Sequence, residues 1–558
     1  MSLAAQAVFL ASPSRRGLPL DDGWIHATYA RNLARHGQLC LNPFDSAQGR
    51  PGEPSTGTTS FLWTALLAAA RLLLPDPVWD ATLWNLALQA WLAVCVFLLV
   101  SQAVPHGAWW YGVAFAAAAS CALLGSLVWI SLSGMETTLF LALGLTAVWC
   151  RTRGQPLASG ILMGLLVLTR PEGLALPLAM AVLELTRLRR RGHSKWATFQ
   201  VPRNSGLACA VVAVELPPSA DRPRAWLKLF APVAFCAVVY FTINLATTGH
   251  LLTSTYAGRR WLAGQPAHVD LGPLAVCGRL VRFADAWVIY LHRWVFGMVL
   301  LGAWLGVPGA EVWAAAIGVG VALLALIGLH SSFAIRHSSL PLLALWALIH
   351  NAAYVVMLPV HGHAGRYQAV NFVLLAILAT LGAARLARAR GPLRAMGLSG
   401  LGVWLVLCVG SAALWRDIYR DSVDHINTVH VACGRWIASN LPSDAVVATY
   451  DLGAISYFAE RRIVDLGGLV DPAMARYLFA GDVAPYLRQK GATHIALVQH
   501  EPGDMRMAQR LGLLPPSPGR PRLRFLRLWG ISPERYRLHH PATSNAAPIV
   551  ALYELDWR

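Results

Sequence analysis

The stretch ATLWNLALQAWLAVCVFLLV, residues 81–100, contains no charged side chain. About 20 apolar residues make a helix of about 30 Å, the thickness of a bilayer's hydrocarbon core. Comparable runs recur, among them WLKLFAPVAFCAVVYFTINLA at 226–246 and VWAAAIGVGVALLALIGL at 312–329. The whole chain agrees: of 558 residues, 56% are apolar and 13% charged, with a mean hydropathy of +0.49. Soluble domains carry about 25% charged residues, and a single water-facing core does not grow to this length. The composition therefore predicts a polytopic α-helical membrane protein of about 10–12 crossings.

The net charge of +18 does not read as a nucleic-acid surface. Basic residues gather in short loops between apolar runs, at RTRGQ (151–155), TRLRRRGHSKW (186–196) and RLARARGPLR (385–394), as in loops retained in the cytoplasm. Counting crossings from these loops places SGMET (133–137), RPEG (170–173), TSTYAGRRW (253–261), HGHAGRYQ (361–368) and everything after residue 415 outside. Asp21 and Asp22 are also outside if TSFLWTALLAAARLLL (59–74), about 24 Å long as a helix, lies in the interface. A true crossing there would reverse the first loop. AAQAVFLA (4–11) is too short to span, so either the chain starts outside or a first helix is missing. Residues 271–358 must hold an even number of crossings, two or four. The expected divisions are 1–79, an N-terminal segment and first external loop with juxtamembrane helices; 80–415, the transmembrane domain, with a basic cytoplasmic loop at 187–224; and 416–558, an external domain. The expected location is the cytoplasmic (inner) membrane, with the site and the last domain facing outside.

That last domain reads as α/β. Short apolar strands are expected at 445–450, 462–466, 493–499 and 548–555, with a helix-forming stretch at 473–491 between two of them. No glycine-rich phosphate loop follows a strand, so no nucleotide site is indicated. The nine cysteines form no CxxC or Cys/His metal spacing. Cys40 and Cys433 fall in polar segments, and nothing in particular supports a disulfide between them. No metal ligands or cofactor are assigned: His361 and His363 in a glycine-bearing loop are a weak metal signal, and a divalent cation is possible without being indicated.

Polar groups collect on the outer side: Asp21, Asp22 and His26; Glu136; Arg170 and Glu172; Tyr256, Arg259 and Arg260; His361, His363, Arg366 and Tyr367. Ionisable groups at helix ends in lipid are costly and mark function by default. Snorkelling is the competing explanation for any single arginine. Gathered at the outer ends of different helices, the set reads as one polar cavity. A carboxylate there can take the proton from an attacking hydroxyl, and arginine can grip a phosphate and stabilise it as it leaves. Adjacent aspartates in an extended segment point apart, so one is expected to face the cavity and the other to cap the following helix. Asp21 is read as the base and Asp22 as the cap. Glu136 and Glu172 begin inward-running helices, where a glutamate also complements the helix dipole. The set fits a transfer from a lipid phosphate to a polar acceptor. The alternative is a transporter or flippase of envelope lipids or glycans. Its signs would be internal repeats and midplane charges, whereas no repeat is visible and the charges sit at helix ends.

The order DDGWIHATYARNLARHGQLCLNP (21–43), GTTSFLW (57–63), SGMETTLF (133–140), LTRPEGLAL (168–176) and GRYQ (365–368) resembles the polyprenyl-phosphate-dependent glycosyltransferases of the C-type fold. It is nearest to bacterial multi-pass mannosyl- or arabinofuranosyltransferase-like members. GRWIASNLPSDAVVATYDLGAISYFAERRIVDLGGLVDP (434–472) is similar to the external domain of many such proteins. The resemblance covers most of the chain except the basic insert at 187–224. It implies a polyprenyl-phosphate-linked sugar as donor, membrane lipids around the protein, and a glycan, lipid or protein hydroxyl as acceptor. It implies catalytic roles for Asp21 and Asp22, with Glu136 grouped beside them, and phosphate binding by Arg170, Arg259 or Arg260, and Arg366. His26, Glu172, Tyr256, His361, His363 and Tyr367 are then expected to bind substrate. The sequence departs from the family in its missing first helix and in the glycine- and proline-rich loop DSAQGRPGEPSTGTTS (45–60).

Overall fold

Local signals set the helices near the N-terminus. After α1 (Ser2–Leu10), α2 (Asp21–His36) starts on two acids, as the positive end of the helix dipole favours. It stops at Gly37 in the left-handed conformation, φ 65°, a common place for glycine. Ser60 caps α3 (Phe61–Arg71) by accepting from the Trp63 N–H. Asp76 caps α4 (Pro77–Ala103) by accepting from Val78 and Trp79. The computed structural model describes residues 1–42, 53–74, 76–193, 222–297, 310–333, 339–544 and 546–558. Beyond α4 come α5 (Ala108–Leu123), α6 (Gly125–Ser131), α7 (Thr137–Thr152), α8 (Pro156–Thr169), α9 (Ala175–His193), α10 (Arg222–Thr248), α11 (Thr255–Leu262), α12 (Pro273–Leu291), α13 (Ala310–Phe333), α14 (Leu340–Met357), α15 (Ala369–Ala387) and α16 (Pro392–Ile426).

Among the described residues, five helices are long and apolar enough to cross a membrane: Pro77–Ala103, Pro223–Thr248, Leu340–Met357, His363–Ala387 and Pro392–Asn440. α5 and α6, bent by 57°, together make a sixth. Shorter apolar helices, including Phe61–Arg71, Thr137–Thr152 and Pro156–Thr169, pack among them, so fewer of the described helices meet that length and composition than the 10–12 crossings expected. One apolar core runs through the bundle, with Trp129, Trp346, Trp404 and Trp415 fully buried. Most of the expected basic loop, 194–221, lies outside the described residues. So do 298–309 and 334–338, within the region expected to hold two or four crossings.

α16 continues through a π-helical turn, Asn427–Val431, into α17 (Ala432–Asn440). The expected boundary at 416 thus falls inside a helix. Beyond it lie β1 (Val446–Thr449), β2 (Arg462–Asp465), β3 (His494–Gln499), β4 (Arg522–Gly530) and β5 (Ile549–Asp556), in the spatial order β2-β1-β3-β5-β4. β1 is parallel to β2 and β3, and β5 is antiparallel to β3 and β4. Four strands match the expected ones closely; β4 was not anticipated. The helix-forming stretch at 473–491 holds two helices, Met474–Ala480 and Ala484–Lys490, divided at Gly481 with φ 70°. The sheet buries both faces. Val446, Ala448, Ile495 and Leu497 face one core, and Val447 and Ala496 the other, as the strand period of two requires. Helices from elsewhere complete these cores: α11 adds Trp261 to the first, and α2 adds Ile25 and Tyr29 to the second. Cys40 and Cys433 are buried free thiols.

Candidate active site

Asp22 and His26 lie four residues apart on α2 and therefore share a face. Asp22 Oδ2 accepts from Arg259 Nη2 at 2.6 Å and from Arg366 Nη2 at 2.5 Å. His26 Nε2 lies 3.2 Å from Glu136 Oε2, and its Nδ1 lies 2.9 Å from the Thr58 hydroxyl. Arg170 bridges two acids, with Nη1 3.0 Å from Glu136 Oε1 and Nε 2.6 Å from Glu172 Oε1. Tyr354 donates to Glu172 at 2.6 Å. The Tyr367 ring has the Arg170 and Arg366 guanidinium groups 4.6 and 5.2 Å from its centroid and stacks on Tyr354 at 5.3 Å.

Three carboxylates (Asp22, Glu136, Glu172) thus meet three guanidinium groups (Arg170, Arg259, Arg366), and the cluster is balanced by its own side chains. Burial pushes Asp22 up, but Arg259 and Arg366 together outweigh it and hold the carboxyl far below the usual range. Burial of Glu136 is likewise overcome, by Arg170 and His26, and its carboxyl falls to about 2.

Neither aspartate caps α2, and it is Asp22 that meets the arginines. The N-cap of α2 is Leu20, and both acids already stand in the first helical turn, about 100° apart around the axis. Asp21 turns toward the sheet, where its two oxygens accept the N–H groups of Gly453 and Ala454, each at 2.8 Å. Asp22, not Asp21, faces the arginines. Burial lifts the Asp21 carboxyl to about 6, with His430 opposing and Asp451 adding to the rise; His430 Nε2 itself lies 2.8 Å from Asp451 Oδ2.

Arg260 is separate from the cluster. Adjacent to Arg259 on the helix, it projects elsewhere, fully buried, and donates to the carbonyls of Pro266, His268 and Met357. It staples a loop and does not present free donors to the cluster.

Two cavities open on the cluster. One, of ≈ 600 Å³, is lined by Arg293, Trp294, His361, His363 and His540 as well as Arg259 and Tyr367. His361 sits between the rings of Phe283 and Trp294, each centroid 4.6 Å away. The other, of ≈ 380 Å³, has the apolar walls of Leu174, Phe241, Leu252, Met357 and Leu358, with Tyr256, Arg170 and Glu172 also lining it. Arg259 and Tyr367 line both spaces. Arg259 Nε and Arg366 Nε and Nη1 are buried and donate to nothing among the described residues. These three guanidinium nitrogens are thus not spent on hydrogen bonds within the described residues. Among the described residues, no three His, Cys, Asp or Glu side chains gather as a metal-binding group.

Sequence reasoning did not anticipate Thr58, Trp294, Tyr354 or His540. Tyr354 has one local signal, a hydroxyl in the otherwise apolar end of α14, NAAYVVM (351–357). His540 belongs to the C-terminal unit, and nothing near it in the chain points to the bundle.

Residues 416–549 match a family model described as a domain of unknown function (DUF8728). No curated protein matches the chain significantly. Among solved structures, the chain is similar to ArnT from Cupriavidus metallidurans in the apo state, with 13% identity, coverage of 99% of this chain and 96% of that one, and a TM-score of 0.50. It is also similar to ArnT from the same organism bound to undecaprenyl phosphate, with 14% identity, the same coverage and a TM-score of 0.45. At such identity the likeness to apo ArnT concerns architecture. Near-complete coverage of both chains gives this one the polytopic C-type fold expected from its sequence, with the sheet domain at its C-terminal end.

Proposed function

We propose that the chain is a membrane glycosyltransferase. It moves a hexose or pentose from a polyprenyl-phosphate carrier to a hydroxyl of an envelope glycan, lipid or protein, on the outer face of the cytoplasmic membrane. The observation that carries this reading is the shared wall of the two cavities: Arg259 and Tyr367 line both, and Asp22 binds Arg259 at that point. The apolar cavity suits the first isoprenoid units of the carrier. The unspent N–H groups of Arg259 and Arg366 suit its phosphate. The larger cavity, with Arg293, His361 and His363 on its wall, suits a polar acceptor.

A phosphate arriving between Arg259 and Arg366 competes with Asp22 for them. Its negative charge raises the Asp22 carboxyl from its depressed range toward one in which it can take a proton. The acceptor oxygen then bonds to C1 of the sugar as the bond from C1 to the phosphate oxygen breaks. The electron pair of that bond departs with the polyprenyl phosphate, which the arginines stabilise, and the acceptor's proton passes to Asp22. Glu136 holds His26 and Arg170 in place beside this step. Glycan and glycolipid profiles of a deletion strain provide the test. The expected result is loss of a sugar-bearing product that the wild-type gene restores and Asp22→Asn, at equal membrane level, does not. An unchanged profile in the deletion strain, or full restoration by Asp22→Asn, overturns the reading.

A further inference from the structure

We infer that the C-terminal α/β unit is a positioning element of the site: the turns that follow β1 and β2 set the register of α2 against α11 and so bring Asp22 and Arg259 together. The consequence for transfer rests on the proposed function; the geometric claim rests on contacts alone.

The carboxyl ends of neighbouring parallel strands form a crevice in which α/β sheets usually take a ligand. Here the turns DLGA (451–454) and DLGG (465–468) instead engage two helices from distant parts of the chain. After β1, the Gly453 and Ala454 N–H groups donate to Asp21 at 2.8 Å, and a Cβ on Gly453 would lie 1.9 Å from the Asp21 carbonyl oxygen. After β2, the hydroxyls of Ser254 and Thr255 both donate to the Leu469 carbonyl at 3.0 Å. A Cβ on Gly258 would lie 2.1 Å from the Gly467 carbonyl oxygen. Only glycine permits either approach.

The anchored residue on each side, Asp21 or Gly258, immediately precedes one member of the ion pair. The second turn is itself braced, because Asp465 accepts the N–H groups of Gly467, Val470 and Asp471 at 2.7, 2.6 and 3.1 Å. Apolar contacts hold the same two helices to opposite faces of the sheet, through Ile25 and Tyr29 on one and Trp261 on the other. Arg510 lies 3.9 Å over the Trp261 ring and donates to its carbonyl at 2.9 Å. A buried ion pair is favourable only when its geometry is good. Asp22 and Arg259 are 237 residues apart, and the sheet supplies that geometry.

The test is a double-mutant cycle of Asp22→Asn and Arg259→Gln on the full-length protein in detergent, read as the shift in unfolding midpoint. It is run with Gly258 intact and again with Gly258→Ala. The expected result is a clear coupling between the two sites that Gly258→Ala reduces by at least half. Should Gly258→Ala not fold, Ser254→Ala with Thr255→Val removes the two hydrogen bonds to Leu469 without steric load and carries the same expectation. Coupling unchanged by either background overturns the inference. Transfer assays on the same proteins keep the two readings apart. If Arg259→Gln abolishes transfer while the coupling survives Gly258→Ala, the positioning role fails and the proposed function stands. If Arg259→Gln leaves transfer intact while the coupling collapses in Gly258→Ala, the reverse holds.

Discussion

Replacing Asp22 with asparagine removes the carboxylate on which Arg259 and Arg366 converge. Both guanidinium nitrogens touch the same oxygen, at 2.6 and 2.5 Å, so they lie at most about 5 Å apart. At an effective dielectric constant of about 20, two unit charges at that distance repel by about 3 kcal/mol. The Arg366 side chain is only 2% exposed, so solvent screens little of this. Removing one partner of a buried pair costs about 3–5 kcal/mol, which agrees with the Coulomb figure. Asp22→Asn is therefore expected to destabilise the protein by about that amount, and adding Arg366→Gln to recover about 3 kcal/mol by removing the repulsion. The assay is unfolding of the purified full-length protein in detergent, followed by tryptophan fluorescence. The pH dependence supplies a second check. The folded carboxyl of Asp22 lies below its unfolded value of 3.8, so its contribution is present above about pH 4 and lost as the pH falls. The gap between wild type and Asp22→Asn should close toward acid. A loss below about 1 kcal/mol, the size of an exposed pair, would refute the reasoning. So would a double variant as unstable as the sum of the singles, or a gap that widens on acidification.

Three further outcomes are expected. Arg260→Gln leaves the carbonyls of Pro266, His268 and Met357 short of donors, costing about 3 kcal/mol or more of stability; the KM for the lipid donor should not change, and a raised KM with normal stability would return Arg260 to the site. Ala353→Leu intrudes on the ≈ 380 Å³ cavity and should raise the KM for a polyprenyl donor about tenfold, the equivalent of about 1.4 kcal/mol; an unaltered KM for long and short carriers alike would assign the chain to some other groove. Burial raises the Asp465 carboxyl from 3.8 to about 6. A group that binds its proton more tightly when folded contributes stability that is full below about pH 4 and lost as the pH rises through about 6. Asp465→Asn should flatten that descent, and a difference from wild type that stays constant between pH 4 and 7 counts against it.

The strands and helices that could be read in advance are those whose signal is local. IALV in β3 and IVALYEL in β5 are apolar runs of strand length, and Ser60 and Asp76 mark helix starts within three residues of the bonds they accept. β4 carries no such signal, because RLRFLRLWG reads as a basic stretch. It is the last strand of the sheet, and outward charges are what a sheet edge carries to discourage further pairing. The helix-forming stretch at 473–491 divides at Gly481, whose left-handed φ ends one helix before the next begins.

The amino-acid order alone determined that the chain is membrane-spanning, that its last quarter forms a sheet with helices, and which acids and arginines compete for a role. Each of these follows from composition or from spacing over a few residues. Which of two neighbours faces the cluster was decided only in three dimensions. Asp21 and Asp22 are told apart by amide groups of residues 453 and 454, more than 400 positions away. Arg259 and Arg260 are told apart by a carboxylate on α2 and by three carbonyls at 266, 268 and 357. The physical reason is helical geometry: consecutive side chains diverge by about 100°, so their partners depend on how distant elements pack around the helix.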